Sequence, residues 1–125
     1  MKNSINLNNE DYYFQITSYA DNDRLAILLY DKDKELYADV TINLPELPIC
    51  EIDEGFINGD FQNCSKVLLN ELKNKGIIAE SYGFLSYNYG TYEYVKFDLE
   101  KLKEYDSIGV SKIEDLKDIN INIGI

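Results

Sequence analysis

The chain has 125 residues, with 23 Asp and Glu against 12 Lys and Arg, a formal net charge of −11 and no histidine. A field of that sign repels nucleic-acid phosphates and anionic membranes, which argues against direct binding to either. Without imidazole the chain lacks the usual base of Ser-His and Cys-His catalysis, and Arg24 as the sole arginine leaves no clamp for phosphate or carboxylate ligands.

Residues 1–10 are Asn-rich and carry little apolar surface, so a disordered start is expected there. In "YYFQITSY", Tyr12, Phe14 and Ile16 share one face of a strand opposite Tyr13, Gln15 and Thr17. "RLAILLYD" is apolar on both faces and suits a central strand. The polar turn "DKDKE" leads to "LYADVTINL", where Leu36, Ala38, Val40, Ile42 and Leu44 alternate with polar residues, so the two runs form an antiparallel hairpin. Pro45 and Pro48 end that strand, and a short extended piece is expected near Phe56 and Ile57.

The strongest helix signal is "CSKVLLNELKNK". Asn63 reads as its N-cap, Cys64, Val67, Leu68 and Leu72 as its apolar side, and Gly76 as its left-handed terminator. A second hairpin follows, with strands near Ile78–Tyr87 and Thr91–Asp98 and Gly90 supplying the permissive turn. Asp98 caps a short helix with Leu99 and Leu102, and Ser111 with Glu114 forms a capping box for another. In "ININIGI", Ile119, Ile121, Ile123 and Ile125 alternate with Asn120, Asn122 and Gly124, a terminal strand expected to pair with a sheet edge. The fold expected is α+β: an antiparallel sheet of two hairpins with one main packed helix and short C-terminal helices. Residues 11–105 form its single domain, and 106–125 an extension.

Cys50 and Cys64 read as small buried thiols in a reducing cytosol rather than a disulfide. "MKNSINLNNED" has no apolar h-region, and no apolar run reaches membrane-spanning length, so a cytoplasmic protein is expected. No cofactor and no metal is expected. The window "DKDKELYADVTI" places acids as a calcium loop does at positions 1, 3 and 5, but Leu36 stands where Gly is needed and Ile42 where Glu is needed.

The remaining candidates lie on a surface for a partner. Asp31, Asp33 and Glu35, then Glu51, Asp53 and Glu54, supply alternating carboxylates spaced about 6.8 Å apart on extended chain, comparable with successive phosphates. Such a surface can occupy a nucleic-acid-binding protein in place of DNA; the same residues also serve as a solvated coat. Tyr87, Tyr89, Tyr92 and Tyr94 are either cross-strand ring pairs or a protein-binding patch.

Four stretches, "LAILLYDKDKELYADVTINLP", "GFINGD", "VLLNELKNKGI" and "YGFLSYNYGTYEYVKFDLEKL", resemble a small bacterial domain-of-unknown-function family. That family is encoded on conjugative plasmids, integrative elements and prophages of Gram-positive bacteria. The resemblance implies an accessory protein of a mobile element and carries no catalytic residues. The expectation is therefore a non-enzymatic acidic module that binds a basic protein, including inhibition of a nucleic-acid-handling host protein. The alternatives are an immunity protein for a basic nuclease toxin and a carboxylate-based hydrolase. The oligomeric state is left open.

Overall fold

Two asparagines make the first reversal of the chain. Asn8 and Asn9 take φ of 53° and 67°, the left-handed pair that a two-residue hairpin turn requires and that Asn tolerates better than most residues. They join β1 (Ile5–Leu7) to β2 (Glu10–Ser18), with Leu7 opposite Glu10. The structure, a computed structural model, describes residues 3–59 and 64–123, with side chains of the last helix described through residue 116. Within the start expected to be disordered over residues 1–10, residues 5–7 form a strand and residues 1–2 lie outside the description. Ile5 and Leu7 flank Asn6 with the same period of two seen in later strands, and both are buried.

β2 pairs with β3 (Leu25–Tyr30), and β3 with β4 (Leu36–Asp39), giving a first antiparallel sheet in the order β1-β2-β3-β4. β3 is central, as its two-sided apolar run implies: Leu25, Ala26, Ile27 and Leu29 are all buried. The run "LYADVTINL" is not one strand. At Val40 the chain changes sheets, with the Val40 N–H donating to Ile27 O and its carbonyl accepting from the Asn58 N–H, both at 2.9 Å. β5 (Thr41–Ile42) then belongs to a second sheet with β6 (Glu54–Ile57), β7 (Ile78–Tyr87) and β8 (Gly90–Phe97), ordered β5-β6-β8-β7. The switch turns Thr41 inward, and its hydroxyl accepts from the Ile27 N–H at 3.1 Å. The α+β class holds, with the two expected hairpins in separate sheets.

α1 (Lys66–Asn74) is capped by Ser65, whose hydroxyl accepts from the Leu68 N–H at 3.2 Å. Asn63, the expected cap, lies outside the described residues. Leu68 and Leu72 face the core and Cys64 is buried just ahead of the helix, whereas Val67 is 54% exposed on the other side. The helix ends in a Schellman motif: Ile77 N–H to Leu72 O at 2.9 Å, Gly76 N–H to Lys73 O at 3.1 Å, and Gly76 at φ 72°. α2 (Leu99–Lys103) is capped by Asp98, as its position implies.

The C-terminal strand is the second correction, since α3 (Ser107–Ile123) runs through that sequence as a helix. It starts earlier than the Ser111 capping box: the Asp106 carboxylate accepts from the Gly109 N–H at 3.2 Å, and Val110 and Ile113 are buried one turn apart. Once a helix is nucleated and anchored, each further residue adds a hydrogen bond, which outweighs the local alternation of Ile and Asn. Residues 124–125 lie outside the description.

One core joins Ile5 and Leu7 to Phe14, Ile27, Val40, Ile57, Leu72, Val95, Phe97, Val110 and Ile113. Ile5 and Leu7 ahead of the expected 11–105 domain, and Val110 and Ile113 in the expected extension from 106, thus contribute to the same core. Among the described residues, no helix is long and apolar enough to cross a membrane.

Candidate functional site

Asp31, Asp33 and Glu35 lie in the five-residue loop joining β3 to β4. The Asp31 carboxylate accepts from the N–H groups of Asp33 and Glu35 at 2.9 and 3.0 Å, and Lys34 takes φ 66° to complete the turn. Asp31 therefore shapes this loop, while Asp33 and Glu35 point charge into solvent.

The second acidic group is divided by burial. Glu51 is exposed, but Asp53 and Glu54 are buried in the turn that enters β6. Glu54 Oε1 accepts from the backbone N–H groups of Cys50 and Glu51 at 2.9 and 3.1 Å and from the Tyr94 hydroxyl. Burial alone would raise the Glu54 pKa, but these donors outweigh it and hold the carboxyl below its ordinary value. Asp53 faces Lys96, with Oδ2 3.6 Å from Nζ, and its Oδ1 is buried without a partner. Both carboxylates thus serve internal contacts.

On β8, residues alternate between two faces of the second sheet. Tyr94 lies opposite Phe56 on β6 and Gly83 on β7, and its ring is stacked on Phe56 and tilted against Tyr82, with centroids 5.1 and 5.0 Å apart. Desolvation and the Glu54 carboxylate push the Tyr82 hydroxyl up to about 12. Tyr94 shifts upward for the same reasons. Tyr92 folds over Gly90, and Tyr87 sits beside Glu46, whose carboxylate raises its pKa. Tyr89 is fully exposed at the turn, where Asn88 and Tyr89, not Gly90, take positive φ of 46° and 68°. Of the four tyrosines singled out from sequence, Tyr94 is a ring-pairing residue and Tyr89 is open to a partner.

The opposite face of β8 carries Glu93, Val95 and Phe97. Glu93 is only 5% exposed; its Oε2 accepts from Lys73 Nζ at 2.8 Å and from Ser81 Oγ at 2.6 Å, while Oε1 is buried with no hydrogen-bond partner. Glu93 lines a groove of about 440 Å³ with Ile57, Cys64, Leu69, Phe84 and Thr91. Phe84, opposite Glu93 in the ladder, is 67% exposed, and Leu85 and Tyr82 are also exposed.

Residues 13–116 match a domain of unknown function, DUF4313. The chain belongs to that family. Within the DUF4313 domain fall the acidic loop, the turn at Glu54 and the whole β7–β8 hairpin, while β1 lies ahead of the match. No curated protein and no solved structure matches the chain.

Sequence reasoning for this DUF4313 domain passed over Glu93, Phe84 and Leu85. The signal for Glu93 was its parity with Val95 and Phe97: a carboxylate at a core position is unusual enough to mark a site. Phe84 and Leu85 carried no such signal, because exposure depends on which strand lies at the sheet edge. Among the described residues, no group of three or more acidic or cysteine side chains is arranged to hold a metal ion.

Proposed function

We propose that this chain is a non-enzymatic acidic binding module whose partner is a basic protein, engaged over the β7–β8 hairpin. The supporting observation is the concentration of exposed Tyr82, Phe84, Leu85 and Tyr89 on that one hairpin, in a chain of net charge −11. Rings and branched side chains held on a hairpin give contact area at low entropic cost, and the surrounding charge accelerates encounter with a cationic surface. The mobile-element setting implied by the resemblance points to a nucleic-acid-handling protein as partner, its DNA-contacting surface covered by the acidic coat. Glu54 supports this over a carboxylate hydrolase, since a general acid needs a raised pKa and Glu54 is lowered.

The test is capture on immobilised full-length chain followed by elution in a salt ramp. A purified partner should then lose about tenfold or more in affinity between low and high salt. Affinity that is flat with salt, or retained when Phe84 and Tyr89 are both replaced by Ser, would count against this reading.

A further inference from the structure

Four strands lie at the edges of the two sheets: β1, β4, β5 and β7. Three are short, with 3, 4 and 2 residues, as edges that must resist pairing usually are. β7 has 10 residues, seven of them exposed, and among the described residues it is bonded only to β8. Its first half is broken by register shifts at Ile78/Glu80 and Ser81/Gly83, which protect that part. From Gly83 to Tyr87 the register is unbroken, with Phe84 opposite Glu93, Leu85 opposite Tyr92 and Ser86 opposite Thr91. This half is a five-residue edge with no register break, on which Phe84 and Leu85 are exposed.

The groove beside it holds an independent mark of a ligand. Glu93 is buried with Oε1 unpartnered among the described residues, although both Lys73 and Ser81 already donate to Oε2. A buried carboxylate oxygen without a donor is costly, and the residue that carries it is one of those lining the groove. The side chain of Phe84 borders the same groove and lies on the edge strand itself.

We infer that Gly83–Tyr87 takes an extended segment of the basic partner by strand addition, and that a lysine or arginine of that segment enters the groove to pair with the Glu93 carboxylate. This rests on the binding-module reading above and specifies its site and the partner's conformation. Main-chain bonds to the free edge hold the segment, and alternate side chains flank Phe84 and Leu85 on the two faces. The net charge of −11 favours a cationic segment and disfavours a second copy of this chain on the same edge.

The experiment is display selection of randomised ten-residue peptides on the full-length protein, with the enriched peptides synthesised and mapped by amide chemical shifts. The expected peptides alternate apolar and polar residues around one Lys or Arg and perturb the amides of Gly83–Tyr87. They should bind about tenfold more weakly to Phe84→Lys, a surface change that leaves the fold intact, and lose their preference for Lys over norleucine in Glu93→Gln. N-methylation of alternate peptide amides should abolish binding. Shifts confined to other surfaces, tolerance of N-methylation, unchanged affinity for Phe84→Lys, or β7 shifts that instead follow self-association would each overturn the inference. So would a selection that enriches nothing; if salt-sensitive capture of a basic partner succeeds in that case, the module reading survives and only the edge is wrong.

Discussion

The backbone N–H of Ile16 donates to Asp106 Oδ2 at 2.8 Å across 90 residues of sequence. β1 pairs with β2 only as far as Tyr12, so this bond satisfies an amide further along an edge that β1 leaves open. The start of α3 covers that edge, and it can approach so closely because residue 109 is glycine. A Cβ at Gly109 would run into the Ile16 carbonyl oxygen and stand 2.5 Å from Asp106 Oδ2. Since the obstacle is backbone, Gly109→Ala should cost about 2–3 kcal/mol, and Asp106→Asn about 2 kcal/mol by loss of charged acceptor bonds. Urea unfolding followed by circular dichroism measures both. A Gly109→Ala variant as stable as the parent would show that α3 does not approach β2 this closely.

Acid and alkali should act on the Glu54–Tyr94 contact in opposite ways. The folded pKa of Glu54 lies below its ordinary 4.5, so its contribution is present above that pH and is lost as pH falls through the folded value. Tyr94 is raised above its ordinary 10.0, so its contribution is complete below pH 10 and is lost as pH climbs through the folded value. Melting temperatures across the pH range should show a shallower acid limb for Glu54→Gln and a shallower alkaline limb for Tyr94→Phe. Limbs parallel to the parent's in both variants would remove the contact from the pH response.

The two thiols should differ sharply in reactivity. Cys64 is buried; desolvation, with the Glu93 charge adding and Lys73 opposing, pushes it up to about 12, while Cys50, against the expectation of two buried thiols, is exposed. Thiolate is the reactive form, so iodoacetamide near neutral pH should add one group to the native protein, at Cys50, and a second only after denaturation. Mass spectrometry reads the count, and rapid native modification of Cys64 would contradict its burial.

Tyr89 offers a separation of stability from binding. A bulky residue at φ 68° in a two-residue turn is strained where Gly would not be, so Tyr89→Gly should raise stability by about 1 kcal/mol. The same change removes the most exposed ring on the hairpin, and affinity for the basic partner should fall. Improved stability with undiminished affinity would remove Tyr89 from the binding surface and leave its strain without a functional reason.

The site was partly legible in the sequence. Tyr94 and Glu54 were both singled out, yet their partnership joins residues 40 apart and follows from β6 lying beside β8 rather than from any local pattern. The acidic loop at Asp31–Glu35 was read correctly as a turn because its hydrogen bonds are local. Burial of Asp53 and Glu54 was not legible, since a run of acids in a loop looks solvated until another strand covers it.

Alternation, capping and turn chemistry act over a few residues. They were sufficient for the strands at Phe14, Ile27 and Val95, the terminator at Gly76 and the cap at Asp98. Three outcomes depended on contacts between distant segments. Val40 carries one run of alternating residues from the first sheet into the second, because Ile27 and Asn58 take its backbone groups. The Ile-Asn tail continues a helix because Asp106 and Gly109 anchor α3 on β2. β7 is left at an edge with Phe84 exposed because β8, not β7, pairs with β6. Local patterns set the preferred shape of each segment, but packing determines which of two near-equal shapes it adopts and which face meets water.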